Sequence, residues 1–195
     1  MLIRSKEEII NLIRDDKWMM DILWAAKSLK LPEWWVCAGF VRSKIWDTLH
    51  GFTERTSLSD VDIIYFDASN ISEAVEKQLE FQLKQLLPSI PWSVKNQARM
   101  HVVNNIPPYV SSVDAISKFP ETATALGLKL DEQDQVVLTA PCGIDDVLGM
   151  IIKPTPFFSE CKNRLAIYEK RIAQKNIKDK WNKVTVFHDS WYPPD

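Results

Sequence analysis

Cysteine is scarce in this 195-residue chain, and its three positions show no paired spacing. Cys37, Cys142 and Cys161 are odd in number and form no CxxC motif. Disulfide-stabilised small domains and structural zinc sites both need more cysteines at closer spacing. The sequence therefore argues against both classes and predicts reduced thiols that pack as small apolar side chains.

Long apolar runs and an excess of either charge are also missing. No segment approaches the roughly 20 apolar residues that span a bilayer, and the N-terminal MLIRSKEEII carries charges inside its first apolar stretch. We therefore expect no membrane partner and a cytoplasmic location. The formal net charge is −2, from 24 Lys and Arg against 26 Asp and Glu. Any polyanionic partner therefore has to be bound locally.

Three common catalytic motifs are absent from the sequence. GxSxG, GxxxxGK[ST] and HExxH do not occur, and their absence argues against the usual serine hydrolases, P-loop NTPases and zinc metalloproteases. The chain is 46% hydrophobic, and its length suits one substantial core.

The apolar pattern predicts helices that alternate with short strands, as in an α/β protein. Helices are expected before Pro32, between Gly39 and Gly51, and from Val75 to Leu86. The predicted strands are short and rich in bulky apolar residues, and they cover 34–38, 60–67 and 92–95.

A second region begins at Pro107. Pro120 is expected to start a helix that Gly127 ends, and another helix is expected after Ser159. Between them, two short strands are predicted as a hairpin, at 128–130 and 135–139. We therefore predict a core over residues 1–106 and an extension over residues 107–195 that packs on it, the two forming one compact unit.

Asp60 and Asp62 carry the main chemical signal. The strand period of two places both carboxylates on one face, with Val61 and Ile63 on the other. Two unpaired carboxylates repel each other, and a divalent cation satisfies both. The pair therefore predicts a catalytic site in which Asp60 and Asp62 ligate Mg²⁺, or Mn²⁺ in its place.

The unit before this strand suits a phosphate group. A buried strand leads into Gly39, where a turn opens a helix. The free N–H groups and the dipole at a helix start attract anions. Arg42, in the first turn of this helix, is a further candidate for phosphate binding, and an ion pair with Asp47 or another nearby acid is the alternative.

Together these segments resemble the nucleotidyltransferase superfamily, in which a Gly-Gly or Gly-Ser turn precedes a strand with Asp-x-Asp. AGFVRSKIWD, residues 38–47, is similar to the GGxVRD segment of CCA-adding enzymes and poly(A) polymerases. Residues 35–66, with NQARMH, FPETATALGLKL and APCGIDDVLGM, resemble a family of bacterial nucleotidyltransferase-like proteins of unknown function.

The resemblance implies a nucleotidyltransferase fold, with a small mixed sheet flanked by helices and a C-terminal helical and β-hairpin extension. It implies metal-dependent transfer of a nucleoside monophosphate from a nucleoside triphosphate to a hydroxyl acceptor, which can be RNA, protein or a small molecule. The nucleotide-binding positions that match the motif are Gly39, Phe40, Arg42 and Ser59.

The chain departs from the superfamily pattern in two places. Phe40 stands at the second small position of the turn, where an aromatic ring has to point away from a phosphate. The third carboxylate is expected on the next strand, but residues 92–96 contain no acid. Asp67, Asp114 and a water-bridged Asn96 are the candidates to replace it.

Several other side chains have both a functional and a structural interpretation. Arg99 and His101 are candidates for phosphate binding and proton transfer, against a surface arginine and a structural histidine. The basic run at 170–183 is either an RNA-binding segment or the solvated side of a terminal helix.

Two other functions compete with nucleotidyl transfer. A catalytically inactive relative would bind nucleotide, RNA or a protein partner without turnover. An Asp-x-Asp glycosyltransferase would prefer a sugar nucleotide, but it needs a longer nucleotide-binding domain and ranks last.

Overall fold

Capped helices pack on a central sheet in the computed structural model, which describes residues 3–188. Ser5 and Asp16 accept hydrogen bonds from the Glu8 and Met19 amides and cap the first two helices, as the polar residues at these positions predict. The α-helices are α1 Lys6–Arg14, α2 Lys17–Ser28, α3 Gly39–His50, α4 Glu73–Leu86, α5 Gln97–Asn104, α6 Ser112–Ser117, α7 Asp145–Leu148, α8 Pro156–Ser159, α9 Lys162–Gln174 and α10 Ile177–Lys180.

The strands form a five-stranded mixed sheet and a small two-stranded sheet within the described residues. The strands are β1 Trp35–Cys37, β2 Val61–Tyr65, β3 Trp92–Asn96, β4 Gly127–Leu130, β5 Val136–Thr139, β6 Ile151–Ile152 and β7 Thr185–Val186. The main sheet has the order β3-β2-β1-β4-β5, in which β2 and β3 are parallel and the other neighbours antiparallel. The predicted α/β fold, with a mixed sheet flanked by helices, is confirmed.

The alternation of side chains along β2 separates the two faces of the sheet. Val61, Ile63 and Tyr65 pack into the main core with helices α1 to α4. Ile64 points to the opposite face, where it packs in a smaller cluster with Trp35 and residues near α6. Asp62 shares this second face by the strand period.

The predicted helix from Pro120 to Gly127 is wrong in its extent, because only a three-residue 3-10 turn, Thr122–Thr124, forms there. Glu121 is extended (φ −121°, ψ 133°) and forms an antiparallel bridge with Pro154. The Thr122 amide donates to the Lys153 carbonyl at 3.0 Å. Pairing with a distant segment therefore replaces the local helical bonds.

The hairpin β4–β5 lies in the same sheet as β1 to β3. The division of the chain at residue 106 stays a prediction. β4, which belongs to the second region, pairs directly with β1. Pairing of this kind is needed if the two regions form one compact unit. None of the helices in residues 3–188 combines the length and the apolar character needed to cross a membrane.

Candidate functional site

The turn between β1 and α3 is built on Ala38. Ala38 has φ 57° and ψ −121°, a backbone conformation that favours glycine. Its carbonyl accepts from the Val41 and Arg42 amides, both at 3.1 Å, so the helix begins directly at Gly39. The first amides of α3 have no carbonyl one turn earlier in the helix. They are available to an anion at this end of the helix.

The Phe40 side chain points away from this turn. Its ring is 1% exposed, lies in the main core and contacts Trp18 at 5.9 Å between ring centroids. The small pair at the turn is therefore Ala38 and Gly39, rather than Gly39 and the residue after it. Only the backbone of Phe40 can therefore contribute to a nucleotide site, and the ring points away from the turn, as the sequence required.

Asp60 and Asp62 line one cavity, of about 510 Å³, together with Gly39, Arg42 and Ser59. Asp60 directly precedes β2 and Asp62 is its second residue. Because the strand turns every second side chain to the same face, both carboxylates point to this cavity. The structure thus brings together these five residues predicted from the sequence.

The two carboxylates have no cationic partner within ion-pair distance among residues 3–188. Ser59 Oγ donates to Asp60 Oδ1 at 3.3 Å. Burial and then the charge of Asp60 raise the pKa of Asp62 above its usual value. Two close anions without a counter-ion fit a divalent cation, which prefers carboxylate oxygens. No group of three or more His, Cys, Asp or Glu side chains suited to a metal occurs in the described part of the chain.

Cationic side chains form another wall of the same cavity. Arg171 projects from α9, Lys175 directly follows the last residue of α9, and Lys180 projects from α10. Glu121 lies beneath them with no exposed surface and accepts from Arg171 Nε at 2.8 Å and Lys175 Nζ at 3.1 Å. Burial alone would raise the pKa of Glu121, but the neighbouring cations outweigh it and hold that pKa below its usual value. Glu121 therefore fixes the positions of Arg171 and Lys175.

Arg42 also lines this cavity. Its guanidinium lies over the Trp46 and Trp181 rings, at 5.0 and 4.9 Å from their centroids. Its Nη1 is 3.9 Å from Glu121 Oε2, too far for a hydrogen bond, and its Nε and Nη1 have no hydrogen-bond partner. Asp47, the acid suggested by the sequence, instead accepts from Trp181 Nε1 at 2.8 Å.

Sequence reasoning missed Glu121 and the role of α9 in this cavity. The available signal was spacing: Arg171 and Lys175 are four residues apart and share one helix face. The structure divides the basic run, because Arg171, Lys175 and Lys180 line the cavity while Lys170 and Lys178 are exposed. No local pattern marks Glu121, whose partners lie about 50 residues away.

The auxiliary candidates do not line this cavity. Asn96 Nδ2 donates to the Asp67 and Asn70 carbonyls at 2.8 and 3.0 Å, so it fixes the loop after β2. Arg99 forms two hydrogen bonds to the buried Glu76, at 3.1 and 2.8 Å. The structure gives both residues a structural role.

The remaining three candidates also lie outside the cavity. Asp67 accepts from the amide and hydroxyl of Ser69, at 2.8 and 2.6 Å. Asp114 pairs with Lys118 at 2.8 Å. His101 is half-buried in α5. Asp67, Asp114 and Asn96, the three candidates to replace the third carboxylate, thus do not line the cavity that contains Asp60 and Asp62.

Comparisons with known proteins identify a family and a shared fold. A family model described as nucleotidyltransferase matches residues 24–186. A solved structure described as revealing a CCA-adding enzyme head domain is 35% identical, covers 96% of this chain and 98% of its own, and superposes with a TM-score of 0.87. No curated protein matches the chain.

Two larger solved structures share the fold at low identity. A CCA-adding enzyme in complex with CTP is 14% identical over 94% of this chain, with a TM-score of 0.58. The Thermotoga maritima CCA-adding enzyme in complex with tRNA is 15% identical over 96%, with a TM-score of 0.55. This chain spans 43% of the length of each.

Proposed function

The chain belongs to the nucleotidyltransferase family, and from this we propose that it transfers a nucleoside monophosphate from a nucleoside triphosphate to a hydroxyl acceptor. Asp60 and Asp62 are the proposed ligands of Mg²⁺ or Mn²⁺, and RNA, protein and small molecules are the classes of acceptor. The single observation that carries this proposal is the cavity itself. Two carboxylates that form no ion pair among the described residues share it with Arg42, Arg171, Lys175 and Lys180.

This arrangement suits a triphosphate bound with a divalent cation. The cationic wall would neutralise phosphate oxygens, and Arg42, whose guanidinium lies over the Trp46 and Trp181 rings, lines the same cavity. The helix start at Gly39 adds backbone N–H groups. A metal held by Asp60 and Asp62 would supply Lewis-acid stabilisation of the charge at the α-phosphate.

In the proposed reaction an acceptor hydroxyl oxygen forms a bond to the α-phosphorus. The bond between that phosphorus and the bridging oxygen of pyrophosphate breaks, and the hydroxyl proton leaves to water. Glu121 keeps Arg171 and Lys175 in place, so the chain orients the leaving pyrophosphate with side chains that are already ordered.

Substitution of either aspartate tests the metal assignment. We expect Asp60→Ala and Asp62→Ala to abolish Mg²⁺-dependent binding of α,β-methylene NTP analogues in isothermal titration calorimetry. Asp21→Ala is the matched control, since Asp21 pairs with Lys17 on the surface of α2, and it should bind as the unchanged protein does. Full Mg²⁺-dependent binding by both site variants would refute the assignment.

A transfer assay separates catalysis from binding alone. Incubation with α-labelled NTPs, Mg²⁺ and a cell extract should move label to a cellular acceptor and release pyrophosphate. Binding of the analogues without transfer from any of the four NTPs would instead favour the inactive module.

A further inference from the structure

A second cavity, of about 470 Å³, adjoins the proposed triphosphate cavity. Ala38, Asp62, Thr124 and Arg171 line both cavities. Asp62 therefore lies at the junction of the two cavities. The first cavity has cationic side chains in its lining, and the second has a mainly apolar lining.

The two cavities lie end to end along the same two elements. On the strand side, Asp60 lines the first cavity, Asp62 both and Ile64 the second, as the strand period allows. On the helix side, Lys175 at the C-terminal cap of α9 lines the first cavity, and Arg164 near the start of α9 lines the second. The cavities are thus the two ends of one trough between β2 and α9.

This order matches the geometry of phosphoryl transfer, in which the attacking and leaving oxygens lie roughly in line through phosphorus. With pyrophosphate at the cationic end and the α-phosphate at Asp62, the attacking hydroxyl comes from the other end. We propose that the second cavity binds the acceptor, a small hydroxyl compound with an aromatic or apolar body and one negative charge. This inference rests on the proposed function.

The lining of the second cavity favours an apolar body. Aromatic and aliphatic side chains dominate it, including Ile64, Tyr109, Phe119, Phe157, Phe158 and Ile167. A cavity of this volume with apolar walls and a few polar groups is typical of small-molecule sites.

The cations of the second cavity are mostly neutralised already. Lys95 pairs with Glu76 at 3.5 Å and Lys118 with Asp114 at 2.8 Å. Arg171, at the junction, pairs with the buried Glu121. These pairs leave little positive charge for a ligand at the walls.

Arg164 is the exception. Its guanidinium lies over the Phe157 ring, 3.9 Å from the centroid, and its Nε donates to the Phe157 carbonyl at 2.6 Å. Within residues 3–188 no carboxylate lies at ion-pair distance from it. One available cation suits one carboxylate or one phosphate group on the acceptor. An RNA strand would instead need several free Lys or Arg side chains along its phosphates.

Binding of defined probes to the full chain tests the inference. The probes are 4-hydroxyphenylacetate, neutral tyrosol and cationic tyramine, which differ in charge on the same phenol, and a ten-nucleotide single-stranded oligouridylate. Methyl NMR signals of Ile64 and Ile167 report the second cavity. We expect 4-hydroxyphenylacetate to shift these signals with a dissociation constant about tenfold lower than that of tyramine.

Variants separate the two features of the cavity. Arg164→Gln should remove the preference for the anion, and the matched control Lys162→Gln, an exposed residue of the same helix, should keep it. Ile167→Glu should abolish binding of 4-hydroxyphenylacetate and leave Mg²⁺-dependent binding of NTP analogues unchanged. Because Ile167 is exposed, this variant should fold normally.

Three results would overturn the inference: no shift with any phenol, equal binding of tyramine, or tighter binding of the oligouridylate at the same methyl groups. The proposed function is judged separately, from the Gly39 and Ser59 amide signals on addition of Mg²⁺ and an NTP analogue. If those signals do not respond, nucleotidyl transfer fails and the acceptor role fails with it. If they respond and the phenols do not bind, only the acceptor inference fails.

Discussion

At the scale of single residues, Ala38 has a strained backbone conformation, with φ 57° and ψ −121°, beside the proposed phosphate position. A non-glycine residue held in such a conformation costs about 1–3 kcal/mol. The strain persists because β1 and α3 fix both sides of the residue: its amide donates to the Leu126 carbonyl and its carbonyl accepts from the helix. The turn thus places Gly39, the first residue of α3, in the lining of the cavity.

We predict that Ala38→Gly raises the free energy of unfolding by about 1 kcal/mol, since glycine adopts this conformation without strain and loses part of the gain to its greater freedom when unfolded. Urea denaturation measures the change. Ala166→Gly, in the exposed interior of α9, is the matched control and should lower the same free energy by about 1 kcal/mol. A comparable loss in both variants would contradict the strain at Ala38.

Glu121 is the buried anion that balances the charge of the cations in the site. It has no exposed surface and contacts two cations directly, with Arg42 at a longer distance. We predict that Glu121→Gln lowers the free energy of unfolding at neutral pH by about 3 kcal/mol, because it leaves buried cations without their anion. Chemical denaturation of both proteins measures the difference.

The pH dependence of that difference follows from the pKa of Glu121. This pKa is lowered in the folded protein from its ordinary value of 4.5, so the carboxylate stabilises the fold above pH 4.5. That stabilisation is lost as the pH falls through the folded pKa. The difference between the unchanged protein and Glu121→Gln should therefore shrink below pH 4.5. A constant difference down to pH 3 would show that the ion cluster is not its cause.

The sequence predicted the residues of the site that follow a local period and missed those that do not. Asp60 and Asp62 were placed on one face by strand alternation, and the structure puts both in one cavity. Glu121 was missed because its partners come from the distant helix α9. The sequence required the Phe40 ring to point away from the turn, and the ring lies in the core. No local pattern in the sequence indicates that Ala38 adopts the positive φ at this turn.

At the scale of elements, one face of α9 packs in the core and another face lines the proposed triphosphate cavity. Leu165, Tyr168 and Ile172 are buried in the core, while Arg171 and Lys175, three residues after the last two, line the proposed triphosphate cavity. Apolar periodicity therefore predicted that the helix exists and which face is buried. It could not distinguish a cation over a cavity from one in solvent, because both occupy the polar face.

We predict that Lys175→Gln weakens binding of α,β-methylene NTP analogues about tenfold, through loss of one charge-assisted contact to phosphate. The matched control is Lys170→Gln, an exposed residue of α9 five positions before Lys175, which should change the affinity less than twofold. Calorimetry at fixed salt measures both. The assignment of α9 to phosphate binding would be wrong if the two variants behaved alike.

At the scale of the whole molecule, Trp181, near the end of the described chain, packs against residues of the first half of the chain. Trp181 is 2% exposed and packs edge-on against Trp46, with ring centroids 5.3 Å apart. Its Nε1 donates to Asp47, which also accepts from the amide and hydroxyl of Thr56 at 2.8 and 2.6 Å. Thr56 lies in the loop that leads to Asp60. Residues from both predicted regions thus support one site.

This closure predicts that the chain unfolds as one unit. Trp181→Ala should lower the free energy of unfolding by about 4 kcal/mol, as large-to-small changes of buried aromatic residues do, and should shift the whole transition because both regions share the core. Trp24→Ala, at an exposed tryptophan, is the matched control and should change the same free energy by less than about 1 kcal/mol. Thermal denaturation followed by far-ultraviolet circular dichroism and by calorimetry should show a single transition in all three proteins. Two separated transitions, with only the second moved by Trp181→Ala, would mean that residues 1–106 and 107–195 fold independently. The two regions would then have to dock before the site that they share could bind a nucleotide.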